Sequence, residues 1–455
     1  MRGAGEILLI ACYEMGHQPL AIAWPTAFLE RAGYAPAVLD LSVEALSAEK
    51  IRRARLVAIS VPMHTALRLG VRVAARVREL NPAARLVFYG LYAALNAEYL
   101  EREAAAMAVL AGELEDELVE LVRRLESVTA SAPPPRGSVL GKLAFPTPSR
   151  AALPSLKKYA HLDRDGSLEL VAYVEASRGC KHRCRHCPIP PVYDGRFFVV
   201  PVNVILADVR QQVAAGATHV SFGDPDFLNG PGHALAVARA LHAEFPALTF
   251  DFTAKIEHLL RQRDHLGALA ALGCLFIVSA AESLDDRVLT ILDKGHRGAD
   301  VLTALEATRA AGITLRPTWV AFTPWTTLDG YRAWLDFIES ADLVDATDAV
   351  QYALRLLVPP GSLLLAHEAM RPHLGRLVAE SFSYEWTHPD PRMDALQRAV
   401  SEAVASAADR REDPALTLQA VRAVASAAAG VATRAASPRA PGRRRAPRLT
   451  EAWFC

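Results

Sequence analysis

Three cysteines stand close together in the middle of the chain, in the spacing Cys180-x3-Cys184-x2-Cys187. The apolar run at residues 168–175 precedes them and is typical of a buried strand, and Gly179 allows the backbone to leave that strand sharply. Three thiolates on one loop can bind three irons of a 4Fe–4S cluster, which normally has four cysteine ligands. The spacing therefore indicates a cluster site at the carboxyl end of a strand.

One iron of such a cluster is left without a cysteine, because Cys12, Cys274 and Cys455 are isolated in the sequence. An open iron can chelate the amino and carboxylate groups of S-adenosylmethionine (SAM), and one electron into the sulfonium then yields a 5′-deoxyadenosyl radical. The protein's part in such chemistry is to position and shield the cofactor. The alternatives are a simple electron carrier and a tetrahedral zinc site with His182 or His186 as the fourth ligand.

The triplet resembles the signature of the radical SAM superfamily, in which Cys-x3-Cys-x2-Cys follows the first strand of a barrel. That superfamily usually has an aromatic residue before the third cysteine, and His186 takes this place here. The resemblance implies an enzyme that cleaves SAM reductively and abstracts hydrogen from a substrate that the sequence does not name. It also implies an external electron donor of the flavodoxin or ferredoxin type.

Strands and helices alternate downstream of the triplet. The order predicts a partial, six-stranded TIM-type barrel over residues 165–372, with its site at the carboxyl ends of the strands. A helical C-terminal region is expected at 373–430. The predicted barrel strands are residues 168–175, 219–222, 248–253, 275–279, 314–321 and 349–354.

Polar residues follow four of these strands, and the resemblance implies roles for them in binding SAM. Asp224 or Asp226 stands where the superfamily has a Gly-Gly-Glu-like segment that meets the SAM amino group, and a carboxylate suits an ammonium. Glu282 stands where ribose hydroxyls are held. Each residue also has a plain interpretation as a turn cap, an ion pair or a helix start. The candidate cofactor-binding residues are Gly223, Asp224, Asp226, Lys255, Glu282 and Thr323.

The first third of the chain has its own alternation of strands and helices. Predicted strands at 7–11, 37–39, 56–61, 86–89 and 106–110 indicate a doubly wound, Rossmann-like parallel sheet over residues 1–125. The layout resembles the cobalamin-binding domains that often precede radical SAM domains.

The loop after the first strand departs from that resemblance. Domains that bind cobalt through a histidine carry Asp-x-His-x-x-Gly there, whereas here His17 follows Gly16 and the Asp is missing. We therefore expect a degenerate domain. Cobalamin binding through His17 or His64 stays open as the alternative.

Two segments have the composition of irregular chain. Residues 126–164 contain a proline-rich run at 131–137 and are predicted to form a linker. Residues 431–455 hold six arginines, three prolines and one acid, Glu451, and are predicted to form a disordered basic tail.

The chain also resembles one subgroup, the CUAEP/CCAEP-tail radical SAM proteins, over essentially its whole length. The resemblance is carried by Gly-His-Gln-Pro at 16–19, by Tyr-x-Trp-x-His-Pro-Asp-Pro-Arg-Met-Asp at 384–394, and by the last residues. Subgroup members end in Cys, then selenocysteine or cysteine, then Ala-Glu-Pro, whereas this sequence stops at Cys455. We hypothesise that a UGA codon was read as a stop; the alternative is a true end at a free cysteine.

The amino-acid composition excludes several classes of protein. Lys and Arg number 50, as do Asp and Glu, so the net charge is zero, which argues against a nucleic-acid-binding protein. Six cysteines in 455 residues exclude a disulfide scaffold. The longest run without charge or histidine, 266–281, is shorter than the roughly 20 residues of a membrane helix. A cytoplasmic protein that does not span a membrane is expected.

Four functions remain open from the sequence. The first is modification of a peptide or small metabolite by hydrogen abstraction. Cobalamin-dependent methyl or alkyl transfer is weakened by the missing Asp-x-His-x-x-Gly, and methylthiolation is weakened because Cys12 alone cannot hold a second cluster. The fourth is a non-catalytic metal-binding or electron-transfer protein.

Overall fold

The computed structural model describes residues 1–127, 137–433 and 445–451. The predicted spacer at 131–137 falls almost entirely outside the described residues, and so does Cys455. Among the helices that are described, none is both long and apolar enough to cross a lipid bilayer.

The N-terminal domain is a parallel sheet, as predicted, and its strand order is β2-β1-β3-β4-β5-β6, with β6 added to the five predicted strands. Its central strands are buried along their whole length because helices cover both faces, which explains their unbroken apolar sequences. The strands are β1 (Ile7–Ala11), β2 (Ala37–Asp40), β3 (Leu56–Ser60), β4 (Arg85–Tyr89), β5 (Ala108–Gly112) and β6 (Ser138–Val139). The helices are α1 (Leu20–Arg31), α2 (Ala48–Arg53), α3 (His64–Leu80), α4 (Leu91–Leu95), α5 (Ala97–Arg102) and α6 (Glu115–Glu126).

The second domain is a curled sheet in the order β14-β13-β12-β11-β8-β7-β17. Five of its strands run parallel, and β7 joins β8 as an antiparallel hairpin. Its strands are β7 (His161–Arg164), β8 (Ser167–Val174), β11 (His219–Phe222), β12 (Thr249–Thr253), β13 (Cys274–Glu282), β14 (Thr314–Trp319) and β17 (Arg448–Leu449). Strands β9 (Ser177–Gly179) and β10 (Phe197–Val199) pair antiparallel in a separate two-stranded sheet. The helices are α7 (Pro190–Tyr193), α8 (Val202–Ala214), α9 (Pro231–Glu244), α10 (Ile256–Arg261), α11 (Leu266–Ala271), α12 (Asp286–Leu292), α13 (Gly298–Ala310) and α14 (Leu328–Ser340).

The predicted sixth barrel strand is wrong. Residues 349–354 form a 3-10 helix, Ala349–Ala353, and an isolated parallel bridge between Phe322 and Arg355 stands in for the strand. The backbone amide of Trp319 donates to the side-chain oxygen of Gln351 at 3.0 Å, so a side chain satisfies a group that a sixth strand would have paired.

The C-terminal region begins with a hairpin rather than with a helix. Strands β15 (Leu374–Val378) and β16 (Ser383–Trp386) pair antiparallel before helices α15 (Pro391–Asp409) and α16 (Pro414–Ala429). The guanidinium of Arg355 lies 3.5 Å from the centroid of the Trp386 ring and pairs with Asp394, which fastens this region to the barrel.

The prediction of disorder is wrong for residues 445–451. Strand β17 (Arg448–Leu449) pairs antiparallel with β7, and the Thr450 amide donates to the His161 carbonyl at 2.8 Å. The Glu451 carboxylate accepts from the Tyr13 hydroxyl at 2.9 Å. The free edge of β7 offers unpaired backbone groups, and this segment satisfies them despite its basic composition.

Arg150, in the predicted linker, fastens the two domains together. Its guanidinium donates to both oxygens of Asp208 at 2.5 and 2.8 Å, to the side chain of Gln18 and to the Tyr173 carbonyl, each at 2.7 Å. Arg150 and Asp208 are both buried. The linker is therefore held by a buried ion pair with Asp208 of the second domain and by a hydrogen bond to Gln18 of the N-terminal domain.

Replacing Arg150 with Met is expected to lower the free energy of unfolding by about 3–5 kcal/mol, because Asp208 would be left buried without its cation. Urea denaturation followed by circular dichroism measures the change. The control is Arg164→Met, which breaks the more exposed pair with Glu169 and should cost under about 1 kcal/mol. Equal effects of the two substitutions would contradict this account of the linker.

Candidate functional site

The cysteine loop leaves the barrel sheet where the sequence placed it, just beyond β8 and the short strand β9. Gly179 ends β9 with a φ of +74°, and a Cβ there would lie 2.4 Å from the Arg196 carbonyl oxygen, so the sharp exit requires glycine. Cys180 and Cys184 are buried and Cys187 is partly buried. The three thiols share one sheltered loop.

The loop is anchored to the end of helix α12 through Arg185. Its guanidinium donates to the carbonyl oxygens of Thr290 and Ile291 at 3.0 and 2.8 Å, and its amide donates to that of Leu292 at 2.9 Å. A cation suits the carbonyl groups that a helix leaves unpaired at its C-terminus. Arg185 therefore positions the loop.

Asn229 lies against the first cysteine. Its Oδ1 accepts from the Lys181 amide at 3.2 Å and lies 3.8 Å from the sulfur of Cys180. Its Nδ2 is buried and has no hydrogen-bond partner among the described residues. Burial raises the pKa of the Cys187 thiol to about 12, and binding to a metal would favour its thiolate form. Three soft ligands and a spare buried donor fit an iron–sulfur cluster.

Glu282 lies beside the same loop, at the end of β13. Its carboxylate is 3.2 Å from His186 Nε2 and 3.1 Å from Lys294 Nζ, and all three side chains are largely buried. Although burial alone would raise the pKa of Glu282, Lys294 and His186 hold it well below its usual range. Glu282 also has a φ of +64°, a strained backbone that is common at functional sites. A cavity of about 270 Å³ opens beside it.

A second network joins the loop to the ends of β11 and β12. His182 Nε2 lies 3.0 Å from His258 Nε2, whose Nδ1 lies 2.7 Å from the Asp226 carboxylate. The Lys255 ammonium pairs with Glu257 at 3.3 Å, and Glu257 lies 3.6 Å from His182. Asp226 and Lys255 therefore connect to the cysteine loop through His258, Glu257 and His182, and a contact of either residue with SAM stays a prediction.

Three of the six candidate cofactor-binding residues, Asp224, Thr323 and Gly223, contact neighbouring protein groups rather than the cysteine loop. Asp224 accepts from the Ala176 amide at 2.8 Å and the Ser177 hydroxyl at 2.5 Å, and burial raises its pKa to about 7. Thr323 is fully buried and bonds the Thr326 hydroxyl. Gly223 packs under a tyrosine ring. A contact of these residues with SAM stays a prediction.

The loop after β1 is folded against the barrel. The His17 ring stacks on Tyr173 with centroids 4.0 Å apart, and burial lowers the pKa of His17 to about 3. The Glu14 carboxylate accepts from the amides of Leu20 and Ala21 at 3.0 and 3.2 Å, which places a protein carboxylate at the start of α1. His64 Nε2 lies 2.6 Å from the Ser381 carbonyl. Both candidate cobalt ligands are thus engaged within the protein.

Two cavities lie where the carboxyl ends of the two sheets face each other, each of about 210 Å³. They are smaller than the roughly 300–1,000 Å³ of pockets for drug-sized ligands, and cobalamin is larger than such ligands. The residues of this interface therefore do not fit cobalamin in this structure. Residues from both domains line the first cavity, among them Trp24, Tyr89, Glu115, Glu175, Gly179 and Tyr193.

Residues 174–323, which include the cysteine loop and strands β11–β14, match the family model of the radical SAM superfamily. This part of the chain is similar to a radical SAM domain. The superfamily uses a 4Fe–4S cluster and SAM. Among curated proteins, the ribosomal protein uS12 methylthiotransferase RimO of Methylococcus capsulatus is 26% identical over 204 residues. The hopanoid C-3 methylase of the same organism is 25% identical over 207 residues.

These matches are partial. The alignments cover 40% and 46% of this chain, and 45% and 38% of the two relatives, which is less than half of each. Among solved structures, the cobalamin-dependent radical SAM enzyme OxsB is similar with a TM-score of 0.67 and 15% identity, over 88% of this chain and 66% of that one. The methyltransferase TsrM of Kitasatospora setae has a TM-score of 0.61 and 16% identity, over 75% and 74%. The likeness to these two structures shows the fold.

Several site residues escaped sequence reasoning. Lys294, Asn229 and His258 belong to no motif, and the partners of Asn229 and His258 lie far away in sequence. Asn229 had one weak indication, because it follows the Asp226 turn at a strand end. Lys294 follows a short helix without any pattern, so only the folded chain reveals it.

Gly223 offers a test of the packing around the site. A Cβ there would lie 2.5 Å from the Tyr173 hydroxyl oxygen and 2.6 Å from the ring, so Gly223→Ala should cost about 1–3 kcal/mol in the free energy of unfolding. Gly232→Ala is the control, since nothing lies within 4 Å of its Cβ position. That substitution should be neutral or slightly stabilising. Thermal melting of both variants measures the two changes in stability. A Gly223→Ala protein with an unchanged melting temperature would contradict the close packing of Gly223 against Tyr173.

Proposed function

We propose that this protein is a radical SAM enzyme in which Cys180, Cys184 and Cys187 bind a 4Fe–4S cluster that SAM completes. When bound, these cofactors supply a 5′-deoxyadenosyl radical, which abstracts hydrogen from a peptide or a small metabolite. The observation that carries the proposal is the sheltered three-thiol loop at the carboxyl end of the barrel strands, within the residues that match the superfamily.

The charged residues around the loop suit an anionic cofactor site. Lys294 is buried beside Glu282, and its positive charge also opposes the burial penalty on the Cys187 thiolate. Glu282 stays ionised beside its cavity, which supports the proposed role of holding ribose hydroxyls. Asp226 and Lys255 stand on the other side of the loop, where they would orient the amino acid part of SAM. Lys294 and Glu282 are thus proposed to balance charge and bind ribose on one side of the loop, and Asp226 and Lys255 to bind the amino acid part on the other.

Asn229 is proposed to donate to the cluster. The Lys181 amide fixes which side-chain atom is the oxygen, so the Nδ2 group remains available to the sulfur atoms of the site. Hydrogen bonds to the sulfurs raise the reduction potential of such clusters. Asn229 is therefore a positioning and tuning residue.

Cys184→Ala is expected to lose most bound iron and all dithionite-dependent release of 5′-deoxyadenosine from SAM. Two remaining thiolates cannot hold the cluster with one open iron. The measurements are iron content after anaerobic reconstitution and chromatography of the reaction. Cys274→Ala is the control, because Cys274 is buried in β13 outside the loop, and it should keep both properties. Bound zinc, or a Cys184→Ala protein that still cleaves SAM, would overturn the proposal.

Asn229→Leu should keep the iron and shift the cluster's reduction potential to more negative values, on the order of tens of millivolts. An anaerobic redox titration followed by electron paramagnetic resonance measures the shift. Asn96→Leu serves as the matched control, since Asn96 is also a buried asparagine but lies in the N-terminal domain. An unchanged potential in Asn229→Leu would remove the proposed hydrogen bond.

Cobalamin-dependent methyl transfer is the second candidate function. The likeness of fold to OxsB and TsrM favours it, whereas the engaged histidines and the small interface cavities do not.

A direct binding test separates the two candidates. We expect the full chain, incubated anaerobically with hydroxocobalamin and then desalted, to retain no corrinoid absorbance. Retention of one corrinoid per chain would overturn this expectation and move the assignment to methyl transfer.

A further inference from the structure

The cavity between the two domains is bordered by more buried carboxylates than cations. The Arg178 guanidinium pairs with Glu115 at 2.7 Å and with Glu175 at 2.9 Å, and it lies 3.7 Å from Glu113. Glu14 also lines the cavity, but its carboxylate already accepts hydrogen bonds from the first two backbone amides of α1. Three carboxylates therefore surround one guanidinium in a region shielded from water.

The excess negative charge is not fully satisfied within the protein. Glu115 is 3% exposed, and its Oε2 has no hydrogen-bond partner in the parts of the chain that the structure describes. The Oε2 atom of Glu113 is likewise without a hydrogen bond there, although Tyr193 donates to its Oε1 at 3.1 Å. Buried carboxylate oxygens without a donor carry a large desolvation cost, which a bound cation would remove.

Titration of the neighbouring acid agrees with this geometry. Burial raises the pKa of Glu113 to about 7, with Arg178 opposing the rise and Glu115 adding to it. The rise is caused mainly by burial, so a carboxylate in this cluster is costly to keep ionised.

The remaining walls suit the body of an organic cation. Trp24, Tyr89 and Tyr193 line the cavity. The Arg178 guanidinium already lies 5.4 Å from the centroid of the Trp24 ring, so the two tyrosines are the aromatic groups left to attract an ammonium group. The cavity also reaches Gly179, the residue before Cys180, and Gly223 at the end of β11. A molecule held at Glu115 would therefore extend toward the cysteine loop.

We propose that this cavity binds the substrate through a positively charged amine, with the Glu115 carboxylate as the principal partner of the ammonium group. The volume of about 210 Å³ admits a group the size of one small amine together with a short carbon chain or ring. The substrate class is thus a cationic amine, either a free metabolite or the side chain of a peptide. The proposal gives a substrate class to the proposed radical SAM function and rests on that function only for the reaction that follows binding.

The test compares two probes of nearly equal shape, benzylammonium and benzyl alcohol, on the reconstituted full chain by isothermal titration calorimetry. Benzylammonium should bind about tenfold or more tightly than the alcohol, because hydrogen bonds to charged groups are the stronger ones. Glu115→Gln should weaken benzylammonium by a similar factor and leave benzyl alcohol unchanged. Glu120→Gln, on the exposed face of the same helix, is the matched control and should change neither.

Equal affinity of the wild-type chain for the two probes would overturn the proposal, and so would a folded Glu115→Gln protein that binds benzylammonium normally. If Glu115→Gln does not fold, the comparison of the two probes on the wild-type chain still decides. SAM cleavage is measured separately on the same preparation. Loss of SAM cleavage with retained amine selectivity would reject the radical function alone, whereas the converse would reject the amine site alone.

Discussion

The burial of charge where the carboxyl ends of two parallel sheets meet is the constraint on which the rest of this structure depends. Both sheets direct their polar loops toward this junction, so each charged group there needs a partner. The Arg150 guanidinium is the partner of Asp208 and also donates to Gln18. The Arg178 guanidinium is the partner of Glu115 and Glu175. These contacts hold the cysteine loop at the shared edge of both domains.

The cysteine loop itself depends on three supports from different elements. Arg185 attaches it to the end of α12, His186 reaches Glu282 at the end of β13, and His182 reaches His258 on α10. The first two supports come from one strand–helix unit, β13 and α12, and the third comes from helix α10, which follows β12. These polar contacts position the three thiols, and the cysteines among the described residues form no disulfide.

The sequence predicted the fold well where burial leaves a periodic pattern. The apolar runs of β1, β3 and β11 are buried on both faces and were located to within a residue. The prediction of a sixth barrel strand is wrong because residues 349–354 are as apolar as a strand. The side chain of Gln351 accepts the hydrogen bond from the Trp319 amide that a sixth strand would have accepted. The prediction of a disordered tail is wrong for residues 445–451 because amino-acid composition carries no information about the free edge of β7, with which β17 pairs. Lys294, Asn229 and Glu115 could not be found, since long-range contacts define them.

The central claim is that the three cysteines hold a cluster with one iron open to SAM. The most direct measurement is the electron paramagnetic resonance spectrum of the anaerobically reconstituted, reduced chain, recorded with and without SAM. This account predicts the signal of a reduced 4Fe–4S cluster that changes when SAM is added. A cluster signal that SAM leaves unaltered, or a reconstituted chain that shows no iron–sulfur signal, would contradict it.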